Sequence, residues 1–169
     1  ADLKTGPISQ KTHATIHFDM DLEYRSAIIL DFLKLLKPVD GQALKYLNSR
    51  KIFKITADAQ KLRMIDDYDR VNRALQKLYP MKDLQEYGFY SDTKHLRFYK
   101  HPLIFPYVNK EGIPLYFQAR AIEAGVTPKE LNVKGPIPLP YNARLLNQKP
   151  GVVFLCEGII DTLTMIAKS

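Results

Sequence analysis

The chain is nearly devoid of cysteine. Its one cysteine, Cys156, excludes an internal disulfide and a cysteine-rich zinc site. Lying within an apolar run, it reads as a buried structural thiol. Long hydrophobic runs are also missing. None approaches the ~20 apolar residues that a membrane-spanning helix needs. The first residues show no signal-peptide pattern, so a reducing, cytoplasmic setting is the default expectation. Histidines are few and lack a ligand pattern. His13 and His17 are four apart, but β-branched Thr15 and Ile16 between them argue against a helix; residues 15–18 could form a short strand, but the expectation is a leader. His95 and His101 have no partner spacing. Acidic residues are in the minority, with 18 Asp and Glu against 25 Lys and Arg, a formal net charge of +7. The excess is scattered. It suits a nucleic-acid-facing surface without establishing one.

What is present is a chain of 169 residues, 46% hydrophobic, enough for one domain or one and a half with a real core. Residues 1–20 hold Gly6-Pro7 and no sustained period, and read as a leader. Residues 21–37 form an amphipathic helix, with Asp21 as a cap and Ile28, Ile29, Phe32, Leu33, Leu35 and Leu36 on its apolar face, stopped at Pro38. Residues 42–50 form a second helix after Asp40-Gly41. Residues 56–79 carry Leu62, Ile65, Tyr68, Val71, Leu75 and Leu78 at spacings of three or four, which predicts one long charged helix capped by Thr56 and ended by Pro80. Residues 84–88 are a short helical turn closed by Gly88. A hairpin comes next, with strands at 103–108 and 113–122 around Asn109-Lys110-Glu111-Gly112. Residues 127–140 are too rich in proline and glycine for long regular structure.

The C-terminal stretch organises the rest. The apolar run 152–156, without polar alternation, reads as a strand covered on both faces. Glu157-Gly158 ends it, and Ile159, Ile160, Leu163, Ile166 and Ala167 then recur at helical spacing. Glu157 therefore falls at the C-terminal tip of a strand, the edge where open α/β sheets bind ligands. Asp161 falls in the first helical turn. A carboxylate there is either a solvated turn residue or a metal-binding or acid–base group.

The pattern strand-Glu157-Gly158-x-x-Asp161-x-Leu163 resembles the first motif of the Toprim domain. Upstream, Tyr46-Leu47-x-x-Arg50, the Gly88-Phe89 break, the Phe105-Pro106 hairpin ending in Arg120, and Pro128-Lys129 resemble, in the same order, segments of the polymerase core of DnaG-type primases. The resemblance covers about 42–167. Lys51 stands where that family has glycine, and Glu130 where it has an aromatic residue. It implies an α+β fold: N-terminal helices and a small antiparallel hairpin subdomain at 21–149 (helical part 21–88, hairpin and loop part 89–149), then the first strand and helix of an α/β Toprim domain at 150–169.

The resemblance also implies a function. The chain would be a fragment of a DNA primase, a nucleotidyltransferase that makes RNA primers in DNA replication, with the long helix suggesting a phage, plasmid or mobile-element member. Glu157 and Asp161 would be catalytic, with Glu157 a ligand of Mg²⁺. Arg50, Arg120 and Lys129 would face the nucleic acid or nucleotide, though each also reads as an ordinary solvated cation. Partners implied are a single-stranded DNA template and nucleoside triphosphates, with a replicative helicase as a candidate and no membrane. The Asp-x-Asp pair that completes a Toprim metal site is expected beyond Ser169, so the isolated chain is expected to be inactive, to hold Mg²⁺ weakly, and to dimerise or dissolve poorly. The competing readings are a Toprim nuclease or topoisomerase relative, and a non-catalytic nucleic-acid-binding or docking module.

Overall fold

The computed structural model describes residues 11–148 and 151–168. Helix α1, Lys11–Leu35, opens the described chain. It runs through the stretch expected to be leader and through 15–18, so Thr15 and Ile16 are helical rather than extended, and Asp21 lies inside the helix rather than capping it. The remaining leader residues, 1–10, lie outside the described residues. Ile28, Ile29 and Phe32 are fully buried, as their spacing requires. The chain leaves α1 into a two-residue strand, β1 (Lys37–Pro38). Asp40 then caps α2 (Gly41–Ser49), its carboxylate accepting from the Gly41 amide at 2.7 Å.

The long helix expected over 56–79 is two helices. They are α3 (Lys54–Ala59) and α4 (Tyr68–Leu78), separated by the two-residue strand β2 (Arg63–Met64). Lys61 sits at φ 55° and turns the chain out of α3. Asp67, not Thr56, is the second cap, accepting from the Arg70 amide at 2.9 Å, while Thr56 is buried within α3. Leu62 and Ile65 are buried as the spacing demanded, but against a sheet. The acidic run is structural: Asp66 pairs with Lys37 at 2.7 Å and with Arg70 at 2.9 Å. Helix α5 (Met81–Glu86) ends at Gly88, φ 78°, as expected.

The hairpin forms where the sequence placed it, as β3 (Leu103–Val108) and β4 (Pro114–Arg120). Asn109 Oδ1 holds its turn by accepting from the amides of Glu111 and Ile113 at 3.1 and 2.9 Å. A short β5 (Glu130–Asn132) interrupts the proline-rich segment. All pairings are antiparallel, and the five-stranded sheet has the order β1-β2-β3-β4-β5.

Residues opposite one another across the ladder share a face. The pairs Ile104–Ala119 and Pro106–Phe117 define one face, against which α1 packs. There Phe32 stacks on Phe117 at 5.0 Å, Phe89 meets both rings edge-on, and Phe98 is edge-on to Phe117 and tilted against Phe32. Burying each such ring stabilises the fold by ~1.5–3 kcal/mol. The Leu103–Arg120 pair lies on the opposite face, towards α2.

After a 3-10 helix, Ala143–Gln148, residues 152–156 are not a strand. No ladder partner lies beside them among the described residues, and an unpaired extended segment has nothing to hold it in a sheet. Val152, Phe154 and Leu155 are 71%, 72% and 94% exposed, and Cys156 is half-buried rather than buried. Helix α6 (Ile159–Ile166) does form, seated by buried Ile159 and Leu163.

Candidate nucleic-acid interface

The side chains of interest meet around one ring. Tyr46 and Arg50 are four apart at the end of α2, so they share a helix face. The Arg50 guanidinium lies over the Tyr46 ring, 5.7 Å from its centroid. Arg120, at the end of β4, reaches the same ring from the sheet. Its guanidinium is also 5.7 Å from the centroid, and its Nε donates to Tyr46 Oη at 2.6 Å. Cation–π contacts of this kind stabilise by ~0.5–2 kcal/mol each. Tyr46 thus binds two cations whose mutual repulsion would otherwise separate them.

Strand β5 supplies the counter-charge. Glu130 is directly opposite Arg120 in the β4–β5 ladder and forms an ion pair with it. The residue that replaces the expected aromatic therefore fixes the angle of Arg120. Lys129 precedes β5 and keeps its side chain exposed, while its carbonyl accepts from the Ala121 amide at 2.9 Å. The segment is tied down from behind by His101, 4% exposed, whose Nε2 lies 2.7 Å from the Pro128 carbonyl oxygen. Arg50, Arg120 and Lys129, singled out in the sequence, therefore lie on elements that touch. Tyr46, Glu130 and His101 were missed as functional residues. Only Tyr46 left a signal, its i,i+4 spacing to Arg50.

The carboxylates stand on the neighbouring element. Glu157 is exposed just before α6, and Asp161 is exposed in its first turn. A Cβ at Gly158 would lie 3.5 Å from Asp161 Oδ2, so this carboxylate folds back over the glycine turn. Thr164 Oγ1 donates to the Arg50 carbonyl at 3.4 Å, joining α6 to the end of α2. Five residues of helical rise separate that contact from Ile159 at the start of α6, ~7.5 Å along the axis, and Glu157 lies beyond it in the extended turn. Among the described residues, no group of three or more His, Cys, Asp or Glu is arranged to hold a metal. No helix among them is long and apolar enough to cross a membrane.

No protein-family model and no curated protein matches the sequence. Solved structures do match the fold. A DnaG primase catalytic domain bound to ssDNA aligns over 90% of this chain and 54% of its own, with TM-score 0.69 and 21% identity. The Aquifex aeolicus primase, its zinc-binding and RNA polymerase domains, aligns over 88% and 40%, with TM-score 0.66 and 20% identity. The E. coli primase catalytic core aligns over 86% and 51%, with TM-score 0.64 and 20% identity. The chain spans about half the length of the structures it matches, and its α+β arrangement of helices about an antiparallel sheet is the fold of that part of DnaG primase catalytic domains.

Proposed function

We propose that this chain is the N-terminal part of the polymerase core of a DnaG-type primase, acting in DNA replication, and that its share of the work is to hold single-stranded template and nucleoside triphosphate. The observation that carries the proposal is the joint seating of Arg50 and Arg120 on Tyr46. Two cations fixed about one ring, with Lys129 exposed nearby, form a preset cradle for phosphate oxygens: exposed Arg50 can bind these in bidentate fashion, while Arg120, whose Nε and Nη1 are engaged by Tyr46 and Glu130, adds Nη2. The match to a primase domain bound to ssDNA supports the same reading. Within it, residues 150–169 begin a Toprim domain, the parent makes RNA primers, and its origin is a phage, plasmid or mobile element working in the cytoplasm.

Glu157 and Asp161 offer the hard oxygen donors that suit Mg²⁺, and in the complete domain they would hold it. In kind they fit; in number they do not, because no third donor joins them among the described residues. A bound Mg²⁺ would neutralise triphosphate charge. The described residues supply cationic positioning alone.

The test is single-strand binding by the chain across a salt series. Arg120→Glu and Lys129→Glu should each weaken it and flatten its salt dependence, since each phosphate that goes unneutralised lowers the slope by roughly 0.7 for single strands. Tyr46→Phe should weaken binding less, by loosening Arg120. Binding equal to wild type at low salt in both charge reversals refutes the cradle.

A further inference from the structure

The face of the sheet turned away from Arg120 holds a concavity. It lies between α1 and the turn end of the β3–β4 hairpin and encloses about 180 Å³. Leu30, Leu33 and Val108 contribute to its floor, and Lys34, Lys61 and Arg63 stand at its rim. Arg63 is opposite Ile104 in the β2–β3 ladder, which puts it on the α1 face, whereas Arg120 is opposite Leu103 on the other face. The two sites are therefore on opposite sides of the sheet.

Three features make this more than an ordinary surface hollow. Leu30 is 41% exposed on a helix whose neighbours Ile28, Ile29 and Phe32 are fully buried. All three charged lining residues are cations, and none of the described residues lining the hollow is acidic. Lys34 is already matched by Asp31 at 2.8 Å, and Lys110 and Glu111 on the adjacent turn pair with each other at 3.5 Å; Arg63 donates to the Leu62 carbonyl at 3.1 Å, and neither it nor Lys61 has an ion-pair partner among the described residues. Finally, Lys61 holds the left-handed conformation at φ 55°, a placement that costs a non-glycine residue ~1 kcal/mol or more, and its Nζ is held 3.6 Å from where a Gly112 Cβ would be.

The chemistry of the lining selects the ligand. A single-stranded nucleic acid stacks its bases on aromatic rings, and this floor is aliphatic. The volume is below the ~300 Å³ at which small-molecule sites begin and suits one bulky apolar side chain. Carboxylates flanking that side chain would meet Lys61 and Arg63. We propose that the hollow is a docking site for a partner protein's acidic peptide segment, one apolar side chain entering between Leu30 and Val108 with its neighbouring carboxylates on the basic rim. This is independent of the template cradle.

The experiment uses a panel of fluorescein-labelled six-residue peptides, each with three aspartates and one Leu, Ile, Phe or Trp, read by fluorescence anisotropy against the whole chain. At least one should bind, and Lys61→Glu and Leu30→Asp should each weaken it about fivefold or more. Both sites are exposed, so melting temperature should hold, and Arg120→Glu should leave peptide binding as it was. Three outcomes overturn the proposal: no member of the panel binds; binding survives Lys61→Glu or a swap of every aspartate for lysine; or twelve-residue oligothymidylate displaces the peptide and itself loses affinity in Lys61→Glu, which makes the hollow a nucleic-acid site.

Discussion

Gly88 and Gly125 have nearly the same backbone, at φ 78° and 81°, but very different surroundings. Replacing either with alanine places a Cβ in the left-handed region, at ~1–2 kcal/mol, partly offset by the ~0.4–1 kcal/mol that alanine gains by restricting the unfolded chain. That net cost of about 1 kcal/mol is common to both. At Gly125 the new Cβ meets nothing within 4 Å. At Gly88 it would lie 2.7 Å from the Lys134 backbone nitrogen and 2.7 Å from Lys134 Cγ, with Arg97 Nη1 at 3.0 Å. Backbone cannot swing aside as a side chain can. The Lys134 amide donates to the Tyr87 carbonyl at 2.9 Å and Arg97 donates to the Gly88 carbonyl at 2.8 Å, so relieving the clash strains both bonds. At ~0.5–1.5 kcal/mol for each bond, Gly88→Ala should cost about 2 kcal/mol more than Gly125→Ala. For a domain of this size that corresponds to a melting temperature lower by about 4–8 °C. Parallel thermal melts monitored by circular dichroism decide it. If the two variants melt within about 1 °C of each other, the joint between α5 and the loop after β5 yields more easily than the distances allow.

Further perturbations report on the core, the pH range and the carboxylates. Phe32→Ala, which empties a fully buried position among three rings, should cost ~3–5 kcal/mol in denaturant unfolding. Asp31, hydrogen-bonded by Lys34 and Tyr79, and Asp66, hydrogen-bonded by Lys37 and Arg70, are held below the ordinary 3.8. They ionise more easily folded than unfolded, so the stability they add is present above about pH 3.8 and is lost as pH falls through their lowered values, and Asp31→Asn should blunt this acid limb of a melting-temperature profile. The phenols of Tyr24, beside the Asp83 carboxylate, and of buried Tyr90 and Tyr107 are pushed up to about 12 from 10.0. Their protonated forms favour the fold, so stability should hold up to pH 10 and drain between 10 and about 12, with phenolate absorbance rising late until the chain unfolds. In a complete catalytic domain, Glu157→Gln should cut primer synthesis by orders of magnitude with melting temperature nearly unchanged, since exposed substitutions move stability by ~0.5 kcal/mol at most; full activity would leave Glu157 as a turn residue.

Local signals carried the parts of the fold that were legible in the sequence. Asp40 before α2, Gly88 after α5 and the Asn109–Gly112 turn each act within a few residues, and each forms as read. The failures are where distant chain decides. Leu62 and Ile65 satisfy a helical period, yet they are buried beside β2, a strand that exists because Arg63 and Met64 pair with Ile104 and Leu103 far downstream. Residues 152–156 have strand composition, but composition supplies no ladder partner. The site divides the same way. Arg50, Arg120 and Lys129 were reachable through motif order, whereas the ring joining Arg50 to Arg120 spans a sequence separation of 74 residues. Glu130 looked like a departure from pattern and is the partner of Arg120.

The sheet's spatial order is its chain order. No strand is inserted between two that were made earlier, so the sheet never has to open to admit a latecomer. Assembly can proceed vectorially, each segment adding to an edge already in place, with the widest gap to close lying between Met64 and Leu103. Closure entropy grows only logarithmically with such a gap, so closing it costs little more than closing a shorter loop. A nascent chain that has emerged as far as Arg120 already holds β1 to β4 and the aromatic cluster beneath them. Segments that leave the ribosome later add to that platform: the ion pair between Arg120 and Glu130 can form once β5 arrives, and the contact of Thr164 with the Arg50 carbonyl only after it.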